Sequence, residues 1–445
     1  MKISYGKLSN TYIEGHKRAE LKIGIDEKLE PDSECCIYRV PTELRKINEA
    51  AYTPQLISIG PFHHGNKDLA EMEKQKVRYK KEFGERMIEE NWEDFITFIE
   101  KEEQHIRNCY SETSPLKSLD FITMVLYDSI FIIELFLKFR EHAGKKEDRS
   151  KFQECKDDVL LNKPYFEVGL KRDLLLLENQ LPYFVLEELY RSTKFKVTVQ
   201  GYPDFLTLSI SFFHDSMCII EEKPDYHPNV NQFTDLKRNS LLHTHPEDNV
   251  SFSVLPSAVK LEESGVKFTF LEGRCLLDIE PKQRNFIIPI PCFSGVELKI
   301  PCLEVEDNTE TVIRNVMALE QCHYPLKTHV CNYISFMDFL IDTEKDVDLL
   351  IEEKIISNLM GDSAKIVQMF NGLGLNINLS QSCYSGIARV LNAHYDSGWN
   401  RKRATLKRVY FSNLWKGTGT IAAIILLLLT FIQTICSIKQ VEWFQ

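Results

Sequence analysis

The chain has 445 residues, 43% apolar and 27% charged, a balance that excludes disorder over most of its length and leaves material for a sizeable core. The formal charge of −11 hides an asymmetry: residues 397–445 hold seven basic residues and one acidic, so the 47 basic and 64 acidic residues before them carry −17. A body that acidic repels phosphate backbones, which argues against a nucleic-acid partner.

In chain order, residues 1–33 are polar, lack periodicity and read as a loose arm. Residues 68–90 have a helical pattern, with Leu69, Met72 and the stem of Lys76 on one side and Val77, Tyr79 and Phe83 adjoining. Trp92, Phe95, Ile96, Ile99 and Ile106 mark a second helix. A third, over residues 119–139, is apolar on nearly every side and is interrupted only by Asp128 and Glu134, so it is expected to be central and buried. The charged residues 141–158 read as a surface loop. A leucine-rich stretch, 170–190, splits into two helices because Pro182 cannot continue a helix from behind and belongs in the first turn of the second.

Residues 222–250, rich in Pro, His, Asn and Asp, read as a long loop. The texture then changes. Residues 266–270 and 296–300 alternate strictly, and residues 286–290 are a β-branched run cut by proline, which predicts a small antiparallel meander. Helical patterns return at 309–319, 333–340, 347–359, 363–370 and 381–395. The predicted fold class is α+β: a predominantly helical body over residues 34–400 with a β insertion near 266–305, forming one folded unit.

The carboxyl-terminal region has a different character. Residues 417–438 are 22 consecutive uncharged residues that would span about 33 Å as a helix, enough for a hydrocarbon core of roughly 30 Å. Trp415 on one side and Trp443 with Phe444 on the other suit interfacial anchoring. Arg401, Lys402, Arg403, Lys407, Arg408 and Lys416 precede the span in a basic segment, residues 401–416. Only Lys439 and Glu442 follow it, in the short tail 439–445. Positive flanks stay in the cytosol, and residues 1–10 contain no apolar run of signal-peptide length. The expectation is a single-pass protein anchored by its C-terminal helix, with the bilayer as one partner and the N-terminal body cytosolic. The twelve cysteines include no C-x-x-C pair, as in a reduced compartment.

Chemical motifs are sparse. The phosphate-cradling loops G-x-x-x-x-G-K-[ST] and G-x-G-x-x-G are absent, and so are G-x-S-x-G and H-E-x-x-H, so no cofactor or metal is expected. His243-Thr-His245 has a spacing that could place two imidazoles on one side of a strand, but nothing nearby completes a ligand set. His63 and His64 follow Gly60-Pro61-Phe62 in a tight loop.

Buried polar residues are the better candidates. Asp128 and Glu134 must each find a cation, accept hydrogen bonds or stay protonated. Glu178-Asn179-Gln180 interrupts the leucine-rich run and reads as a hydrogen-bonded network fixing the break at Pro182. Arg39, Arg45 and Arg78 are candidate counter-ions. The favoured function is non-enzymatic recognition or signalling at a membrane, with a protein partner. The alternative is a hydrolase or transferase using His63, His64, Asp128 or Glu134, which requires two of them to converge within about 3 Å.

Several stretches together resemble a plant family known as domain of unknown function 247. They are Tyr38-Arg39-Val40-Pro41 through Leu44-Arg45, Ser58-Ile59-Gly60-Pro61-Phe62-His63, Asp128 with Phe131-Ile132-Ile133-Glu134-Leu135-Phe136, and Arg314-Asn315 through Glu320-Gln321. The most specific is Asp173-Leu174-Leu175-Leu176-Leu177-Glu178-Asn179-Gln180-Leu181-Pro182. Tyr410-Phe411, Asn413 and Trp415 extend the likeness to the C-terminal span, so that it covers about residues 35–440. The chain departs from the family pattern at Asp128-Ser129, often Asp-Gly, at Asn413-Leu414-Trp415, often Asn-Pro-Trp, and around Phe233 to Leu242. The resemblance implies a plant single-pass membrane protein without an assigned reaction, and it supplies no catalytic residues.

Overall fold

A computed structural model of the chain describes residues 32–88, 92–147, 158, 160–195, 203–213, 229–242, 250–251, 254–284, 295–377, 381–410 and 414–442. Most of the expected N-terminal arm, the expected strand at 286–290, and His243 with His245 lie outside the described residues.

The longest body helix, Ser118–Glu147, organises the first half. Phe121, Val125, Ile130, Phe131, Leu135, Phe136 and Leu137 are all essentially inaccessible to water, as the all-round apolar sequence requires. Ala70–Arg86, Trp92–Asn108, Tyr183–Ser192 and Phe205–Phe212 pack around it. Phe136 sits among the rings of Phe205, Phe212, Phe213 and Phe233, with centroids 4.5 to 5.9 Å away. The expected surface loop at 141–158 begins later than the charges suggest, because the helix runs on to Glu147. Arg86 holds Glu141 to the preceding helix layer and supports the extra turns.

A second core is built by Ala258–Ser264, Thr309–His323, His329–Leu340, Glu344–Glu352, Ser363–Leu373 and Ser385–Asp396, with a small sheet against them. Thr343 and Asp346 form a reciprocal capping box that starts Glu344–Glu352, so this helix begins where local chemistry satisfies its first amides.

The sheet corrects the antiparallel meander. Lys267–Phe270 and Gly295–Ile300 are neighbours and run parallel, with Phe268 opposite Leu298. Glu280–Arg284 pairs antiparallel on the far side of Gly295–Ile300, giving a mixed sheet. The segment between the parallel strands exceeds the dozen or so residues that a parallel crossover needs, so chain length permits it. Further parallel pairing joins Leu303–Val305 to Ile356–Asn358. The fold class remains α+β.

Residues 233–241, expected within a loop, form the helix Phe233–Leu241. It is polar in sequence yet buried, because its charges are paired internally: Arg238 Nε lies 3.0 Å from Glu320 Oε1, and Tyr324 donates to Asp235 at 2.9 Å. A third, smaller cluster links the two halves. Val40, Leu44, Ala51 and Tyr52 from the N-terminal segment pack with Leu177, Ala318 and Leu319.

Arg401, Lys402, Arg403, Lys407 and Arg408 lie in a helix of their own, Gly398–Tyr410, packed on Ala258–Ser264 and Ser385–Asp396, while Lys416 belongs to the next helix. Leu414–Glu442 follows, and its stretch Trp415–Cys436 is long and apolar enough to cross a membrane and is not buried against the body.

Candidate functional site

Residues 53–62 cross the first core as an irregular strap that belongs to no ladder, although Ile57, Ser58, Ile59 and Gly60 are buried. Buried amides must find partners, and here side chains from elsewhere supply them. Asp173 Oδ2 accepts from the N–H groups of Gln55, Leu56 and Ile57 at 2.9, 2.6 and 3.1 Å. Asn179 Oδ1 accepts from Ile59 N–H at 2.7 Å, while its Nδ2 donates to Ile57 O at 3.0 Å and to Asp173 O at 2.9 Å. Asp128 Oδ2 accepts from Gly60 N–H at 2.8 Å, and Lys76 Nζ donates to Ser58 O at 2.6 Å.

Gly60 has φ +71°, and a Cβ there would stand 2.4 Å from the carbonyl oxygen of Gln180. Both the backbone conformation and the close approach therefore demand glycine.

The turn between Pro164–Leu174 and Tyr183–Ser192 carries the other half of this network. Gln180 Nε2 donates to Leu174 O and Leu176 O at 2.6 and 2.8 Å, and its Oε1 accepts from Phe233 N–H at 3.0 Å. Asn315 reaches in from Thr309–His323, accepting from Leu177 N–H at 2.9 Å and donating to Ala51 O at 2.8 Å. Pro182 caps the following helix from one position outside it, one residue earlier than its expected place in the first turn.

Glu178 is the electrostatic centre of the turn. Its carboxylate is inaccessible to water and takes Arg45 Nη2 at 2.6 Å, Val40 N–H at 2.8 Å, Arg39 Nη1 at 3.0 Å and His63 Nε2 at 3.3 Å. Burial alone would raise its pKa, but the bonds from His63, Arg45 and Val40 N–H more than offset it and hold the pKa down at about 2. Arg39 also stacks on the Phe62 ring at 4.3 Å and reaches Glu112 at 3.1 Å.

Asp128 and Glu134, six residues apart on one helix, serve different faces. Asp128 pairs with Lys76 at 2.6 Å. Burial opposes the Lys76 charge, but Asp128 and Glu73 outweigh that penalty and raise its pKa above the ordinary lysine value. Glu134 meets Arg86 at 2.9 Å, and burial, only partly countered by Arg86, pushes its pKa up to about 7.

The structure thus gathers Arg39, His63, Asp128, Glu178, Asn179 and Gln180 around the strap and the turn, and leaves Glu134 with Arg86 apart from them. Among the described residues no hydrogen bond or ion pair joins His63, His64, Asp128 and Glu134 to one another, and His64 is exposed. Arg39 and Arg45 are counter-ions to Glu178, whereas Arg78 turns to Asp158 and Glu82. Sequence reasoning missed Asp173, Lys76, Arg86 and Asn315 as members of these networks. A charged or amide side chain inside an apolar helical stretch was the available signal for Asp173 and Asn315.

No group of three or more His, Cys, Asp or Glu side chains among the described residues is arranged to hold a metal ion. The nine described cysteines are free thiols, including the adjacent Cys35 and Cys36. Ahead of and at the start of the apolar helix, Arg401, Lys402, Trp415 and Lys416 are exposed, while Arg403, Lys407 and Arg408 lie within Gly398–Tyr410.

Comparison with known proteins places these features in a family. The UPF0481 protein At3g47200 of Arabidopsis thaliana is 26% identical over 443 residues, covering 91% of this chain and 86% of that protein. The putative UPF0481 protein At3g02645 of the same plant is 24% identical over 490 residues, covering 89% of each. No solved structure matches the chain. The family model described as plant protein of unknown function, DUF247, matches residues 37–429, a range that takes in the strap, the Glu178 turn and most of the apolar helix, and the chain belongs to that family.

Proposed function

We propose that the chain is held at a membrane by its C-terminal helix, and that residues 34–400 form a cytosolic body acting as a non-enzymatic recognition or signalling module for a protein partner. The carrying observation is the unburied apolar stretch Trp415–Cys436, preceded by a basic helix docked on the body. Burying that stretch in lipid recovers the hydrophobic free energy that it forgoes in water. The basic residues ahead of it favour the cytosolic side for the body.

The recognition reading is supported by the use made of the candidate polar groups. Glu178, Asn179, Gln180 and Asp128 bind backbone amides, carbonyls and counter-ions of their own chain. They set the shape of the body.

Carbonate extraction and protease protection of sealed plant microsomes test the arrangement, with proximity labelling from the N-terminus to identify neighbours. The expected result is a carbonate-resistant protein whose body is digested from outside and labels a reproducible protein neighbour. Glycosylation of an acceptor site introduced just ahead of Arg401 would overturn the orientation. Release by carbonate would overturn the anchor.

A further inference from the structure

Gly398–Tyr410 carries Arg401, Lys402, Arg403, Lys407 and Arg408 and no acidic residue. Setting the side of a membrane requires only that such charges lie near the span in sequence, whatever their conformation. Here they are built into a helix that the body holds in place. The buried Asn400 donates to His394 O at 2.9 Å, and the helix packs on Ala258–Ser264 and Ser385–Asp396.

The far end of this helix is tied to the apolar one. The Thr420 hydroxyl donates to Tyr410 O at 3.2 Å, and Thr420 lies one turn beyond Lys416, the last charge before the apolar stretch. That turn advances about 6 Å, close to the depth of one headgroup layer when a bilayer of about 40–45 Å encloses a hydrocarbon core of about 30 Å. If Trp415–Cys436 spans a membrane, the reading on which this inference rests, Tyr410 sits where headgroups meet hydrocarbon. Val409, Tyr410 and Trp415 are exposed there, and the amphipathic rings of Tyr and Trp favour that layer.

The charge is not cancelled locally. Arg401 and Lys402 are exposed, and among the described residues neither is joined to a carboxylate. The packed helices contribute Glu262, Glu263 and Asp396 but also Lys260 and Arg389, so the three helices together hold seven basic and three acidic residues, a positive patch on an otherwise acidic body. The field of an anionic bilayer decays over about 8 Å at physiological ionic strength. Lys407 and Arg408, within one turn of Tyr410, meet it almost fully, and Arg401 and Lys402, further up the helix, in part. We infer that Gly398–Tyr410 lies against the bilayer that its own chain enters and gathers anionic phospholipid headgroups, such as phosphatidylserine, around the base of the span. A nucleic acid would also have to approach the acidic body, and an acidic protein would have to displace headgroups already at that level.

The full chain would be reconstituted in phosphatidylcholine bilayers with a trace of nitroxide-labelled phosphatidylserine, phosphatidylglycerol or phosphatidylcholine, the label near the end of the acyl chain. Electron paramagnetic resonance separates lipid held at the protein from free lipid. An immobilised component with all three labels is expected from the span itself, and its absence would remove both the span and this inference.

Both anionic labels should associate about twofold or more above phosphatidylcholine at low salt, and the preference should vanish at about 1 M salt, where the screening length is about 3 Å. Changing Arg401, Lys402, Arg403, Lys407 and Arg408 together to glutamine should abolish the preference while the phosphatidylcholine component persists, and Lys416→Gln alone should keep most of it. Equal association of the three lipids with the unaltered protein would overturn the inference and leave the span in place. So would a preference for phosphatidylserine that phosphatidylglycerol does not share, because headgroup shape and not charge would then be its cause. A preference that survives the fivefold change would assign it to Lys416 and overturn the role of the helix.

Discussion

Replacing Glu178 with glutamine isolates the charge at the centre of the turn. The side chain is inaccessible to water, and the drop in pKa from 4.5 to about 2 corresponds to about 3 kcal/mol of preference for the charged form in the folded protein. Glutamine can still accept from Val40 N–H but gives nothing ionic to Arg45 or Arg39. Arg45 and Arg39 side chains are 24% and 38% exposed and can turn toward water, so the loss should stay at about 3 kcal/mol and not reach the upper range for a stranded buried charge.

Because the folded-state pKa is depressed, the contribution is complete above pH 4.5 and is lost as the pH falls toward 2. Urea unfolding of the full chain in dodecyl maltoside, followed by tryptophan fluorescence, would measure it. The gap between wild type and Glu178→Gln should be about 3 kcal/mol at pH 7, nearly unchanged at pH 5.5 and less than half as large at pH 3. A gap that is constant from pH 7 to pH 3, or below about 0.5 kcal/mol at pH 7, would refute the assignment of Glu178 as the ionic anchor of the turn.

Other perturbations read other parts of the network. Gly60→Ala forces a Cβ to within 2.4 Å of Gln180 O at φ +71°, and thermal unfolding should register a loss of about 3 kcal/mol. Asp173→Ala removes the acceptor shared by Gln55, Leu56 and Ile57, of which only Ile57 is fully buried; a loss of about 3 kcal/mol is expected, with new proteolytic cleavage inside residues 53–62. Glu134→Gln has the opposite pH signature to Glu178→Gln. The wild-type carboxyl has a folded pKa of about 7 against 4.5, so the folded state binds the extra proton and wild-type stability should rise as the pH falls from 7 to 4.5, by up to about 3 kcal/mol relative to the variant. Urea midpoints at pH 8 and pH 5 would check the sign.

Periodicity made the outer helices and the central buried helix readable, because their apolar residues recur at helical spacing and tertiary packing uses that same face. The carboxylates of Asp128 and Glu134 also stood out, since a charge within an apolar helix requires a partner. The partner was not readable: Lys76 and Arg86 lie 52 and 48 positions earlier, and their surroundings are polar enough to pass for surface.

The strap at 53–62 was opaque for a similar reason. Its conformation is set by Asp173, Asn179 and Asp128, more than sixty residues away, and not by local turn chemistry. Phe233–Leu241 was hidden because Thr234, Asp235 and Arg238 are polar in type yet buried through pairing with distant residues, which reverses the usual inference from polarity to loop. Strand order was lost at 267–300, since alternation marks a strand but carries no information about the direction of its neighbour.

The bond between Asn315 and Ala51 joins residues 264 positions apart. At about 5–20 residues per second, a ribosome needs roughly 13–53 s to add that stretch of chain. Throughout that interval Ala51, Tyr52 and the neighbouring amides have no Asn315 to lock against, and the greasy C-terminal helix has not yet been made. The newborn N-terminal half must therefore wait, with sticky surface showing, for its closing piece. Chaperone escort of the emerging N-terminal half during synthesis is a natural requirement of such a design.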